Sequence, residues 1–507
     1  MDRRTLLLTA TAGAAGIGII HLAKATAFAD DDGRPLLGIN LTPVTYYTPS
    51  AFIDRLKTSP GTWSAQGATD PIPVGPTGLP TSMAGASAVF AMVSLEPASA
   101  GAPVRYEVTY DGDATFALQY GQIVSASRGR VVFEYAGPGV TSFIYRSIGR
   151  TPPTRVNLIR LDHARLFAAG EIFTPDFLEQ VSGFDTLRFM DWMATNGSPV
   201  TDALVPVSAL SYGSGVPLEI IIALANKTGI KPWVTIPHLA SDALVVDIIA
   251  KLKAGLRPGI VPTIEYSNEV WNLGFPQAHY AAAQAVALWG AGVPGATFYG
   301  YRTGQIAKLA RGSGARVVLG CQTVNPAISE HVWKGVALSG ATDRDLSGWI
   351  IATYVTGSLT SRDGPTLSLM AANDVEGAID NILNDSGGRA MSVRTMAPIY
   401  AAHGAIASAH GLQLLAYEGN MHLNALPGFG PERDQVIAFF TAVSNHPDSV
   451  KVMRANLDAF VAAGGKLACL FNLATAPGGG GVFGLVDKPS WAFIRQHLKI
   501  SSALHRG

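Results

Sequence analysis

Apolar residues follow two different rhythms along this chain. Between 67 and 150 they alternate with polar ones in short runs, Val89-Phe-Ala-Met-Val, Val104-Arg-Tyr-Glu-Val-Thr-Tyr, Thr115-Phe-Ala-Leu-Gln-Tyr, Arg130-Val-Val-Phe-Glu-Tyr and Ser142-Phe-Ile-Tyr, broken by Gly, Pro and Asp. A period of two sends successive side chains to opposite faces, so each run reads as a strand with one face on a core. Tyr110-Asp-Gly-Asp adds a hairpin signal, and the segment reads as a small antiparallel β-sandwich.

From 151 onward the rhythm changes. Runs rich in Val, Ile and Leu, Thr186-Leu-Arg-Phe-Met-Asp, Lys231-Pro-Trp-Val-Thr-Ile-Pro, Thr263 to Tyr266, Arg316-Val-Val-Leu-Gly, Gly348-Trp-Ile-Ile-Ala-Thr-Tyr, Gln413 to Tyr417 and Lys466-Leu-Ala-Cys-Leu-Phe-Asn, take turns with apolar segments of helical length. Strands apolar on both faces suit a parallel sheet covered by helices. Leu36-Leu-Gly-Ile-Asn-Leu supplies one more run, and Pro49 to Lys57, with Phe52, Ile53 and Leu56 on one side, the helix after it. The fold expected is therefore α/β, a (β/α)8 barrel. Its first strand and helix fall in 30–66, the β-sandwich in 67–150 as an inserted or N-terminal module, and the rest of the barrel in 151–507.

The first 29 residues stand apart from both rhythms. Arg3-Arg4-Thr-Leu-Leu-Leu, an apolar small-residue run to Ile20 and Ala27-Phe-Ala29 read as a twin-arginine signal peptide, cleaved after Ala29. The expectation is a periplasmic or secreted protein with no stable membrane insertion, since no later window approaches the ~20 apolar residues of a span.

Charge changes the picture by exclusion. The 507 residues carry 37 Lys and Arg against 37 Asp and Glu, without basic clusters, which speaks against nucleic acid and suits an uncharged partner. The two cysteines, Cys321 and Cys469, lie in apolar runs and read as buried thiols. No zinc helix, phosphate loop or nucleophile elbow is present, so neither a metal nor a cofactor is expected.

Barrel enzymes carry their chemistry at the C-terminal ends of the strands, which directs attention to the polar residues closing each run. They are Arg188, Asp191 and Trp192 on the second, His238 on the third, Asn268, Glu269 and Trp271 on the fourth, Gln322 on the fifth, Tyr354 on the sixth, Glu418 on the seventh and Asn472 on the eighth. Two of these closings, Tyr266-Ser-Asn-Glu-Val-Trp-Asn272 and Tyr417-Glu-Gly, combine a carboxylate with an amide or an aromatic ring, the vocabulary of a carbohydrate site.

Those motifs, about 150 residues apart, resemble the active-site signatures of clan A retaining glycoside hydrolases. The resemblance covers roughly 36 to 65 and 151 to 495. It implies Glu269 as acid/base, Glu418 as nucleophile, and Asn268 on the sugar's 2-hydroxyl. Arg188 and Tyr354 fit positions that the clan uses to hold the nucleophile. His238 could line the subsite at the cleavage point, and Trp271 and Trp192 could stack on sugar rings. Glu265 is a rival acid four residues before Glu269, but its deeper place on the strand suits a buried salt bridge with an arginine. In one respect the chain departs from the clan, which commonly closes strand eight with a tryptophan platform where Phe471 and Asn472 stand here.

The expectation is an exported retaining glycoside hydrolase acting on a neutral polysaccharide or oligosaccharide. The alternative is a non-catalytic carbohydrate-binding protein on a degenerate barrel. Tyr106, Tyr110, Tyr120, Tyr135 and Tyr145 of the β module could offer a sugar-binding face, or simply pack across strands.

Overall fold

The computed structural model describes residues 35–97, 102–388, 390–478 and 481–504, with side chains described as far as 498. The signal-peptide expectation falls on 1–29, outside the described residues. None of the described helices is long and apolar enough to cross a membrane.

Eight parallel strands close into a barrel. They are Leu36–Asn40, Thr186–Arg188, Lys231–Ile236, Thr263–Tyr266, Arg316–Gly320, Gly348–Val355, Gln413–Met421 and Gly465–Leu470. The eighth pairs back onto the first, Cys469 opposite Gly38, which completes the ring. Every run assigned to the barrel from its apolar pattern is one of these strands. Their inward side chains, among them Leu36, Trp233, Val318, Ile350, Leu415, Leu467 and Cys469, fill the barrel's centre. Outward ones, such as Ile39, Val234, Ile264 and Ile351, meet the helices in a larger shared core. Burial on both faces is why these runs lack alternation.

The helices begin where local chemistry permits. Thr174 and Pro175 open Pro175–Val181, with the Thr174 hydroxyl accepting from the Phe177 N–H, and Ser241 caps Asp242–Gly255 in the same way. Gly229, at φ 77°, ends Leu218–Thr228 in the left-handed conformation that favours glycine.

The β module interrupts the barrel between its first and second strands. Two four-stranded antiparallel sheets form it, one ordered Ser64–Gln66, Ala88–Ser94, Val140–Ile148, Ala114–Leu118 and the other Gly121–Ser127, Arg130–Tyr135, Val104–Tyr110, Val156–Arg160. The paired strands thus reach beyond both ends of 67–150. Gly121–Ser127 escapes an apolar pattern because nearly all of it is exposed. Tyr106, Tyr135 and Tyr145 are fully buried in the sandwich core, so for these three packing is the outcome, while Tyr120 is exposed.

Pro49 to Lys57 is not a helix. Only Arg55–Thr58 forms a single 3-10 turn. Phe52 bridges Phe173 and Asp54 bridges Ile159, and the Asp54 carboxylate accepts from the Leu56 and Leu158 N–H groups. Phe52 belongs to the barrel core and Leu56 to the sandwich core, so the segment is drawn out along the seam between them.

Candidate active site

Residues at the ends of the first, fourth and seventh strands converge on the guanidinium that ends the second. Arg188, last residue of the second strand, is fully buried. Its Nε and Nη2 donate to the two oxygens of Glu265, each at 2.9 Å. Nη2 also donates to Asn268 Oδ1 at 2.9 Å, and Nη1 to Asn40 Oδ1 at 3.0 Å and Glu418 Oε1 at 2.7 Å. All five N–H groups of the fork are thereby used. Glu265 is the partner in a buried salt bridge, as its depth suggests, and also accepts from Trp233 Nε1 at 2.8 Å.

Glu418 reaches this network through an irregularity in the seventh strand. Ala416 pairs with Ile351 and Glu418 with Ala352, so Tyr417 is an extra residue, a bulge. In a regular strand Tyr417 and Glu418 would face opposite ways; the bulge lets both turn into the barrel. Tyr354 on the sixth strand donates to Glu418 Oε2 at 2.9 Å. At the next residue the two strands touch, for a Cβ on Gly419 would lie 1.9 Å from Thr353 Oγ1.

Glu269 leaves the fourth strand through a contorted turn. Ser267 at φ 60° and Glu269 at φ 42° both lie in the left-handed region without being glycine, a conformation costing about 1–3 kcal/mol each. The turn keeps Asn268 buried against Arg188 and swings Glu269 towards the opening, where it is partly exposed. Tyr417 donates to Glu269 Oε1 and Asn272 to Oε2, each at 2.9 Å. Asn196 and Gln277 brace the turn from behind, Asn268 donating to Asn196 at 3.0 Å and Gln277 to the Asn268 carbonyl at 2.9 Å.

The electrostatics are uneven. Burial pushes the Glu418 carboxyl up to about 8 against the pull of Arg188; the Glu269 charge adds to the rise, while hydrogen bonds from Tyr354 and Arg188 oppose it. Burial, then the neighbouring carboxylates, holds the Tyr354 and Tyr417 phenols well above their ordinary range, so both remain donors. One cation thus serves two buried carboxyls, with the Glu269 charge beside them.

Other strand-end residues make no hydrogen bond to Arg188, Glu269 or Glu418. Trp192 is a correction: its ring is 1% exposed, packed between Phe52 and Phe177 with centroids 5.3 and 5.7 Å away, and its indole donates to the Thr42 carbonyl, leaving no face for a sugar. Asn472 is occupied in a turn, exchanging hydrogen bonds with the Thr475 hydroxyl and N–H. His238 is buried edge-on to Tyr280, and its Nδ1 has no partner. Burial pushes the Asp191 carboxyl up to about 6, opposed by Arg188. Trp271 packs edge-on against Tyr299 and Tyr417, and Gln322 is half-buried beyond the fifth strand.

Some partners carried little signal in the sequence. Asn196 and Gln277 are amides in unremarked stretches, Asn40 is a polar residue inside the first apolar run, and only the folded chain brings them to Asn268 and Arg188. Asn272 and Tyr417 lay inside the two motifs and could have been read as neighbours of the glutamates. An aromatic wall flanks Tyr354, formed by His422 at 4.9 Å, Phe471 at 6.2 Å and Phe483 at 6.3 Å between ring centroids. Among the described residues no group of three or more His, Cys, Asp or Glu is arranged to hold a metal ion. A cavity of about 640 Å³ lies elsewhere, at the seam where the first and eighth strand loops meet the sandwich near Tyr47, Arg55, Glu96 and Lys488, and neither Glu269 nor Glu418 lines it.

No family model and no curated protein matches the chain. Among solved structures it is similar to the CBM22-1 and GH10 modules of a Clostridium thermocellum endo-1,4-β-D-xylanase, at 10% identity over 89% of this chain and 98% of that one, with a TM-score of 0.35. It is also similar to a GH1 β-glucosidase from Exiguobacterium antarcticum B7, at 12% identity over 68% and 88% of the two chains and a TM-score of 0.37. An endo-1,4-β-D-mannanase from Thermotoga petrophila RKU-1 matches at 14% identity over 64% and 94%, with a TM-score of 0.32. Likenesses of that size leave the fold to rest on the strand order and the chemistry on the side chains.

Proposed function

We propose that this chain is an exported retaining glycoside hydrolase that cleaves a neutral polysaccharide or oligosaccharide by double displacement. One observation carries the reading: two carboxyls stand at the C-terminal ends of barrel strands, one buried and gripped by Arg188 and Tyr354, the other partly exposed and gripped by Tyr417 and Asn272. Glycosidic cleavage asks for that division, since one carboxylate must attack the anomeric carbon while another carboxyl protonates the departing oxygen. Glu418 is the nucleophile. Its attack breaks the glycosidic bond as Glu269 gives its proton to the leaving group, and a glycosyl ester forms on Glu418. Glu269, now a carboxylate, takes a proton from water, whose oxygen displaces Glu418 and restores both groups. Export is supported by Arg3-Arg4 and Ala27-Phe-Ala29 in the sequence.

A screen of aryl glycosides and neutral polysaccharides tests the activity, with product configuration read by NMR. Retention is the expected result, and inversion would overturn the double displacement. In Glu269→Ala, added azide should restore turnover of an activated aryl glycoside with retained configuration. In Glu418→Ala, azide should give a glycosyl azide of inverted configuration. Binding of every ligand with turnover of none would favour a carbohydrate-binding protein instead.

A further inference from the structure

Tyr417 precedes Glu418 in the chain, yet its hydroxyl donates to Glu269. A regular strand could not do this, because consecutive side chains would diverge; the bulge at Tyr417 turns both inward. Several contacts fix the phenol. It is 1% exposed, the Arg188 guanidinium lies 5.0 Å from its ring centroid, the Trp271 ring stands edge-on at 6.3 Å, and Asn40 Nδ2 donates to its carbonyl at 2.9 Å. The clamp on one glutamate and the other glutamate itself are therefore a single dipeptide.

Resting on the glycosidase reading above, we propose that Tyr417 is a positioning residue that sets where the Glu269 carboxyl stands relative to Glu418. Any shift of the bulge moves both ends of the pair together, which preserves their spacing. Asn272 holds the second Glu269 oxygen from its own loop and leaves the first to Tyr417. Donation to a carboxylate favours its ionised form.

The test is the Tyr417→Phe variant, which keeps the ring and removes the donor. On aryl glycosides with poor leaving groups, which need protonation, kcat/KM should fall roughly 10–100-fold, the worth of one hydrogen bond to a charged group. With 2,4-dinitrophenyl glycosides, whose leaving group departs unprotonated, it should stay within about twofold. An equal loss on all leaving groups would overturn the proposal and leave the glycosidase reading intact. A wild-type protein that turns over no glycoside would remove both. Should Tyr417→Phe not fold, 3,5-difluorotyrosine at 417 keeps the shape and strengthens the donor. Its kcat/KM on poor leaving groups should then depart from wild type while that on 2,4-dinitrophenyl glycosides stays within about twofold, and an equal change on both would overturn the proposal.

Discussion

Two glutamates in this molecule are each held by one arginine and one tyrosine. At the barrel mouth Glu418 accepts from Arg188 and Tyr354, and at the seam with the sandwich Glu96 accepts from Arg55 and Tyr106. The donors match, but the outcomes are opposite. Burial works to raise both carboxyls; at Glu96, Arg55, Tyr106 and a second cation, Arg160 at 3.8 Å, outweigh it and hold the carboxyl below its usual range. At Glu418 they do not, because Arg188 is shared with Glu265 and the Glu269 charge stands nearby. At the seam Arg55 and Arg160 face Glu96 and Asp162, whereas at the mouth one arginine is divided between Glu265 and Glu418 with Glu269 beside them. Satisfied charge at the seam fastens two cores together, whereas charge left in excess at the mouth is the perturbation expected of the proposed catalytic pair, at the expense of stability.

The sharpest break of this comparison is Glu418→Gln. Turnover should fall by roughly 10⁴-fold or more, since no nucleophile remains. The melting temperature should hold or rise, because the amide mimics the protonated carboxyl that burial favours. A clear drop in melting temperature would mean that Glu418 is as well satisfied as Glu96. In the wild type the acid limb of kcat/KM should lie above the ordinary carboxylate range near ~4.3, since protonation of Glu418 as pH falls removes the nucleophile.

Next in size is Arg188→Ala, which leaves Glu265 and Glu418 buried without their cation. Urea unfolding should show a loss of about 3–5 kcal/mol. Activity should vanish with it.

Glu96→Gln tests the other side. It should cost about 1–3 kcal/mol and leave turnover unchanged, since only the seam loses its ion pairs. Because the folded carboxyl titrates below the unfolded one, the Glu96 contribution is complete above the unfolded value and disappears as pH falls through the folded one. Melting temperatures of wild type and variant should therefore converge in acid. If the wild type instead melted below the variant at higher pH, Glu96 would be behaving like Glu418.

The smallest effect belongs to Tyr145→Phe in the sandwich core. Its buried hydroxyl has no partner, unlike those of Tyr106, Tyr354 and Tyr417. Removing it should change stability by no more than ~0.5 kcal/mol, or raise it slightly. A larger loss in urea unfolding would mean that the hydroxyl has found a partner.

Residue order alone fixed the barrel's framework. Strands buried on both faces write themselves as unbroken apolar runs, and the turn of the barrel from strand to helix repeats that signal eight times. Sequence also marked Arg188, Asn268, Glu269, Tyr354 and Glu418, because each is a polar residue ending such a run. It misjudged Pro49 to Lys57, whose apolar spacing imitates a helix, because the spacing cannot say that Phe52 and Leu56 serve different cores. Nor could it show that Trp192, at a strand end like the others, is enclosed by rings from 52, 177 and 189.

What the tertiary structure decided was the sharing of charge. Whether a glutamate is satisfied depends on how many cations and how many other carboxylates reach it, and those arrive from strands far apart in the chain: Arg188 meets Glu418 across 230 residues and Tyr417 meets Glu269 across 148. A sequence names the residue types and the ends of the elements. The count of neighbours around a buried charge, and the bulge that turns two consecutive side chains to the same side, exist only once the barrel has closed.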